Sequence, residues 1–326
     1  MVDQPDDEPR AGAGPYLYLL ITMALFGTAF TSSKVVVGQL PHEVAAMLRF
    51  GGGAVILVVM LCVRPGSARF SWRDLCVAGS IGMIGVFAYN FFFFWALSLA
   101  PAIDGSIIVP ILSPVLTTIA MLLAGREAAS AIRVAGLVLG VAGAAVFFIG
   151  IGVGGLSGSR LVGDLVYLLA AGCWAAYSIA SKKVLSGMDP LRATTYATGV
   201  GALALVLLSI PELPSADWSS VRPSTWANVA FLAIGPTAIA YLFYYRGLRS
   251  VSPVTATITM FSVPVFGTVS AVVFLDESFT VVQIVGALIT VVGALLAVAP
   301  GVLYRRSVTS VRRGRRWTPS AGESTP

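Results

Sequence analysis

The chain has 326 residues, of which 57% are hydrophobic and only 11% charged, with a formal net charge of +6. A water-soluble domain carries about 25% charged residues, so this chain has too few to cover a water-facing surface and is read as an integral membrane protein. The three cysteines, Cys62, Cys76 and Cys173, have no CxxC or metal-ligand spacing and lie in or beside apolar segments, which makes them small core hydrophobes.

A bilayer crossing needs about 20 apolar residues, and lipid leaves backbone polar groups no partner outside the segment, so the crossings are helices. The apolar runs predict ten spans, at 16–36, 44–63, 74–95, 103–124, 132–151, 162–182, 191–210, 226–247, 253–274 and 280–300. The acidic start, MVDQPDDEPR, predicts a disordered tail over 1–15 rather than a secretory signal, which would begin with basic residues.

In the first span Phe26, Ala29, Phe30 and Ser33 share a face at spacing i, i+3, i+4, i+7, and Lys34 follows near the span's end. Small polar groups beside rings fit a solute path, and helix packing would produce the same face. Lys34 either attracts an anionic group or snorkels to the interface. His42, the only histidine, follows Pro41 in a loop. Arg49 lies six residues into the second span, where a charge needs a partner. It reads as a structural anchor or as a direct contact to substrate.

The third span, FAYNFFFFWALS, puts Phe87, Asn90, Phe94 and Leu97 on one face, while Phe91, Phe92 and Trp95 are assigned to lipid or an interfacial belt. In the fourth span Asp104 sits in the first turn, as a helix cap or as a proton-coupling carboxylate. Pro110 and Pro114 each remove an N–H donor there and bend the helix. Ser113, Thr117 and Thr118 supply polar company for the bend. Gly136, Gly140 and Gly143 make a stripe of small residues on the fifth span. The Gly-rich stretch at 152–161 is a linker between halves.

The sixth span repeats the face of the first, with Trp174, Tyr177, Ser178 and Ser181. The eighth carries Thr237, Tyr241, Tyr244 and Tyr245 where the third has its aromatic face. A wall of rings with a few polar tips suits a small organic solute. Asn90 and Tyr241 are assigned to that wall, since a polar group facing acyl chains is costly. The ninth span holds Pro264, with Ser262, Thr268 and Ser270 beside it, and the tenth holds Gly286 and Gly293. The paired glycine stripes on helices five and ten serve packing inside the protomer or a homodimer interface.

These correspondences are systematic. An offset of 150 pairs Pro114 with Pro264, Glu127 with Glu277, Gly136 with Gly286 and Gly143 with Gly293. An offset of 148 pairs Phe26 with Trp174, Ser33 with Ser181 and Lys34 with Lys182. A duplicated hydrophobic unit with interrupted helices at matching positions is a common architecture of secondary transporters, with the site where the repeats meet. Glu127 and Glu277 are read as repeat-symmetric caps.

With ten spans both termini share a side. That side collects Arg10, Arg64, Arg69, Arg73, Arg126, Arg133, Lys182, Lys183, Arg192, Arg246, Arg249 and six arginines of the basic tail at 301–326. The far side has Lys34, Arg160 and Arg222. Both termini are therefore expected in the cytoplasm. This asymmetry accounts for the net positive charge, so no nucleic-acid partner is expected, and the tail could touch anionic lipid headgroups.

The stretch ALFGTAFTSSKVVVGQLPHEVAAMLRF, with its aromatic-Gly element, small polar turn, Lys, Pro and Arg, resembles the opening of the EamA repeat. WALSLAPAIDGSIIVPILSPVLTTIAMLLAGRE resembles that repeat's Ala-Leu start, its Pro-containing fourth helix and its closing Gly/Leu-Gly/Asp-Glu. PVFGTVSAVVFLDE matches the same ending in the second half, and CWAAYSIASKKV its opening. Over about residues 16–300 the chain resembles the EamA type of the drug/metabolite transporter superfamily. The resemblance implies an all-α membrane protein of two inverted five-helix repeats, at 16–151 and 162–300. It also implies a central cavity bounded mainly by helices 1, 3, 4, 6, 8 and 9, and alternating access. Two departures stand out: Ala197 holds the place that answers Arg49, and Asp104 sits where the family is usually small and apolar.

The expected function is a secondary transporter of the bacterial inner membrane that exports a small metabolite. Amino acids and related compounds are the substrates the resemblance implies. The alternative is a structural or lipid-handling membrane protein without a solute cavity. The expected substrate residues are Phe26, Phe30, Asn90, Phe94, Ser113, Trp174, Tyr177, Tyr241, Tyr244, Tyr245 and Ser262, with Lys34, Arg49 and Asp104 as charge or coupling candidates. No Walker-type, HExxH or GxSxG pattern is present, so no catalytic residue, cofactor or metal is expected. The scarcity of buried acids argues against obligatory proton coupling.

Overall fold

The computed structural model describes residues 13–64, 71–125, 131–153, 157–184, 188–244, 260–278, 280–293 and 295–296. Among these the regular structure is entirely helical. The helices are α1 (Ala13–Val37), α2 (His42–Val63), α3 (Trp72–Leu99), α4 (Ala102–Leu123), α5 (Ala131–Val153) and α6 (Gly158–Val184). The rest are α7 (Pro190–Ser209), α8 (Pro223–Tyr244), α9 (Val263–Leu275) and α10 (Val281–Gly293).

Seven of these helices are long and apolar enough to cross a bilayer, and shorter apolar stretches cover Val134–Phe147, Val263–Leu275 and Val281–Gly293. The outer surface carries large apolar side chains such as Val63, Leu203, Val265, Phe274, Val281 and Leu288. In water such a surface would aggregate; in lipid it is the natural coat.

The packing repeats about a two-fold relation. Helix α1 lies on α9 as α6 lies on α4, and α8 lies on α1 as α3 lies on α6. Likewise α2 meets α8 as α7 meets α3, while α2–α7 and α4–α9 pair across the relation. Five crossings per unit make the second unit enter the membrane from the opposite side. The contacts agree, since the end of α1, the end of α3 and the starts of α4, α6 and α10 share one end of the bundle. The opposite end gathers the end of α2 and the starts of α3 and α7. The repeats are therefore inverted.

The two glycine stripes face one another. A Cβ at Gly143 would lie 2.5 Å from the Thr290 nitrogen, and one at Gly293 would fall on the backbone of Gly140. Close backbone approach is what small residues permit in lipid, and here the approach is between α5 and α10 of one protomer. The stripes are taken up inside the chain, which leaves a homodimer through them without its small-residue surface.

Helices α3 and α8 each contain a π-helical turn, at Met83–Ala88 and Ala233–Ile239. The two turns coincide under the same 150-residue offset that aligns the closing helices. In α8 the Thr237 hydroxyl donates to the Leu232 carbonyl 2.9 Å away, five residues back. Such turns break the 3.6-residue register, and that displaces the face of α3 that meets the interior.

Pro264 departs from the expectation of a kink inside a span. It falls in the first turn of α9, after a break at Phe261–Ser262, where a missing N–H costs nothing. Pro110 and Pro114 do lie inside α4. Hydroxyls of Ser113, Thr117 and Thr118 donate to the carbonyls of Val109, Ser113 and Pro114 along that stretch.

Candidate functional site

A cavity of about 60 Å³ lies at the middle of the bundle. Its walls come from α1 (Phe26, Phe30), α2 (Arg49, Phe50), α3 (Tyr89, Phe93), α4 (Val109, Pro110), α6 (Trp174) and α8 (Tyr241), with Met260 and Val263 at the broken start of α9. Both repeats contribute. The rings interlock edge to face: Phe26 against Tyr241 at 5.7 Å between centroids, Phe30 against Phe93 at 5.0 Å. Tyr89 packs on Trp174 at 5.1 Å.

Arg49 is the cation of this wall and is buried. Its Nε donates to the Thr237 hydroxyl at 3.5 Å, a long bond. Its guanidinium carbon sits 4.9 Å from the Phe50 ring centre, 5.7 Å from Phe93 and 5.9 Å from Phe94. Among the described residues no carboxylate pairs with it. Gly53, one turn further along α2, has Thr237 against it with no room for a Cβ. That close crossing of α2 and α8 brings the hydroxyl to the arginine. The ring contacts offset part of the charge's desolvation.

Of the residues singled out from the sequence, Phe26, Phe30, Arg49, Trp174 and Tyr241 meet at the cavity. Asn90 and Phe94 are buried but stand behind its wall. Asn90 donates from Nδ2 to the Val86 carbonyl at 2.7 Å, which serves the π-turn, and its Oδ1 has no hydrogen-bond partner. Ser113 bonds Val109 and Ala171 in the α4–α6 contact. Tyr177 packs on Gly85 and Trp174. Tyr244 and Ser262 flank Met260 without lining the cavity, and Tyr245 lies outside the described residues. Glu127 also lies outside them.

Tyr89 and Phe93 take the places assigned to Asn90 and Phe94. A continuous 3.6-residue repeat from Phe87 leads to the latter pair. Tyr89 and Phe93, themselves one turn apart on the regular helix after the π-turn at Met83–Ala88, face the cavity instead. Nothing in the local pattern marks the turn; the matching turn in α8 contains Pro236.

The charged candidates Lys34 and Asp104 both make contacts that tie helix ends together. Lys34 Nζ donates to the carbonyls of Leu97 and Ala100, closing the C-terminus of α3, where a cation also meets the helix dipole. Asp104 accepts from Arg160 Nε at 2.8 Å and Nη2 at 3.0 Å, and from Gln283 at 3.3 Å. Glu277 accepts from the backbone N–H of Ala102 and Ile103 at 2.9 and 2.8 Å. It is a cap, but of α4, and Asp276 in the left-handed region (φ 54°) turns the chain toward it. Asp164 joins this group in α6, fully buried. It is a second interior acid where the sequence reading counted one.

The model of the EamA-like transporter family matches residues 14–149 and 161–299. "Uncharacterized transporter YyaM" of Bacillus subtilis is 25% identical over 86% of this chain and 92% of its own length. "Probable terminal-alkyne amino-acid exporter" of Streptantibioticus cattleyicolor is 25% identical over 85% of this chain and 91% of its own. "Aromatic amino acid exporter YddG" of Ancylobacter novellus is 30% identical over 59% of this chain and 65% of its own. A crystal structure at 26% identity superposes over 90% of this chain and 98% of its own with a TM-score of 0.61.

Proposed function

Because the chain belongs to the EamA-like transporter family, we propose that it exports a small carboxylate-bearing metabolite, an amino acid or close relative, by alternating access through the cavity around Arg49. The observation that carries this reading is a buried guanidinium with rings on several sides and no carboxylate partner among the described residues. An arginine cannot shed its proton, and an unpaired buried charge is expensive. A solute carboxylate, held by the guanidinium fork, offsets that cost, and the rings of Phe26, Tyr89, Trp174 and Tyr241 receive the rest of the molecule. The names of the relatives as amino-acid exporters point the same way.

A volume of about 60 Å³ is far below a pocket that encloses a metabolite. The arrangement therefore suits a closed stage of a cycle, and solute enters when the repeats part and the rings withdraw. We place the protein in a bacterial inner membrane with both termini in the cytoplasm, on the asymmetry of its Lys and Arg.

The test is counterflow of labelled phenylalanine in proteoliposomes, with thermal stabilisation of the purified protein as a binding readout. Phenylalanine and 3-phenylpropionate should stabilise the protein, and phenethylamine, which lacks the carboxylate, should not. Arg49→Gln should weaken the response by about tenfold or more, the scale of a lost charge-assisted bond. Stabilisation by phenethylamine alone, or lipid scrambling without counterflow, would overturn the proposal.

A further inference from the structure

At the end of the bundle where α4, α6 and α10 begin, a carboxyl group is left over. Asp164 lies one helical turn after Arg160 on α6 and is 0% exposed. Neither of its oxygens accepts from an N–H or O–H donor, and the group within hydrogen-bond reach of it is the Asp104 carboxyl. Arg160 is committed to Asp104, which it grips with two nitrogens, so its fork is not available to the second acid. Asp104 and Arg160 are nevertheless the charged groups that act on Asp164. Tyr167, three residues on, reaches instead to the Pro101 carbonyl at 3.4 Å.

The other groups facing this pair are Gln283 from α10, Glu277 ahead of α10 and Lys34 from α1. Tyr89 on α3 lies behind Tyr167. Three acids, Asp104, Asp164 and Glu277, thus stand with two cations, Arg160 and Lys34. An ionised carboxylate without partners, out of water and beside a second carboxylate, is the least favourable member of such a set. One proton on Asp164 makes the cluster neutral and removes that penalty.

We propose that Asp164 and Asp104 form a proton-binding site: one proton occupies the Asp164 carboxyl while Arg160 pairs with Asp104, and it leaves to solvent when the two repeats separate at this end. The inference rests on the transporter reading above for its second half only. Its geometry is one of ties between repeats. Asp104 belongs to the first, Arg160 to the helix α6 that opens the second, Gln283 to the second, and Glu277 of the second holds the Ala102 and Ile103 amides of the first. Separation at this end must break all of them together and admit water to Asp164. The carboxyl O–H then gives its proton to water and the carboxylate is solvated, with no further reactant. The site lies about 8 Å from Val109 and the cavity, measured along α4, so protonation and solute binding report on the same movement of α4 against α6.

The test uses the full chain. In lipid at neutral pH, infrared spectroscopy should detect a carboxylic-acid C=O band that Asp164→Asn removes. Asp104→Asn should remove it too, because Arg160 then turns to Asp164 and ionises it. In proteoliposomes an imposed pH gradient should drive phenylalanine accumulation by the wild type, and Asp164→Asn should lose that accumulation. If Asp164→Asn does not fold, Asp164→Glu should retain the band at a shifted frequency. A wild type without the band, or a band unchanged in Asp164→Asn and Asp164→Glu, overturns the proton site whether or not phenylalanine moves. A wild type with the band but no counterflow leaves the proton site standing and removes the transporter reading.

Discussion

At one end of the bundle Arg160 grips Asp104 with the carboxylate at 0% exposure; at the other Arg64 meets Asp189 at 3.0 Å with side chains 52% and 36% exposed. The exposed end is built from ordinary parts. Asp189 caps α7 by accepting from the Leu191 and Arg192 amides, and Arg192 pairs with Asp74 of α3. Partial burial pushes Asp189 up. The Arg192 amide and the Arg64 side chain outweigh it and hold the carboxyl below its usual range. Water can replace any of these contacts. At the buried end Asp104 and Asp164 are fully buried, and the ties from Arg160 to Asp104 and from Glu277 to the Ala102 and Ile103 amides join α4 to α6 and to the chain ahead of α10.

A duplicated chain would be expected to have equivalent ends, and the difference traces to a few positions. Under the 148-residue offset Asp164 answers Tyr16 and Arg160 answers Gly12; under the 150-residue offset Asp104 answers Val254. The acids and their arginine belong to one end only. Inverted repeats give both ends the same helices, and these substitutions make one end a polar lock and leave the other a set of exchangeable surface ties.

Breaking the buried tie should have the largest effect. Arg160→Ala leaves Asp104 without its cation and should cost about 3–5 kcal/mol at neutral pH, read as a lowered unfolding temperature in detergent. The loss should shrink as pH falls, because Asp104 can then take up a proton in place of the arginine. A cost that does not change with pH would contradict the account. Glu277→Ala removes the cap from two amides of α4 and should cost about 1–2 kcal/mol. Glu277→Gln should recover part of it, since its one carbonyl oxygen can still accept.

At the exposed end Arg64→Ala should cost about 0–1 kcal/mol, and added salt should erase the difference. Its pH dependence has the same sense, with a smaller amplitude. A carboxyl held low in the folded state contributes stability above its unfolded value of about 3.9, and that contribution disappears as pH falls through the lower folded value. The Arg64→Ala difference should therefore be present at neutral pH and vanish in strong acid. If Arg64→Ala proved as damaging as Arg160→Ala, the distinction between the two ends would fall.

Much of the fold is legible in the residues. Ten apolar runs, the offset pairs and the proline-bearing fourth helix follow from local composition and spacing, and each corresponds to a described helix. Phe26 and Phe30 of α1 and Trp174 of α6 were also readable from the 3.6-residue period, whereas Tyr177 of α6 packs away from the cavity. On α3 the same reasoning selects Asn90 and Phe94, while Tyr89 and Phe93 face the cavity. Which face of α3 meets the cavity is set by its packing on α1, α2 and α6, and the local pattern does not record it.

The sequence by itself determined the solvent of this protein, its helices and its duplication, since each depends on how oily a segment is and on spacing within it. Only the tertiary structure decided that Arg49 would stand without a carboxylate partner among the described residues and that two glycine stripes would consume each other. It also decided that Asp104 would find Arg160 and leave Asp164 unmatched. Those outcomes depend on which helix faces meet across the two-fold relation, and a buried charge is costly or compensated according to its neighbours in space rather than in sequence.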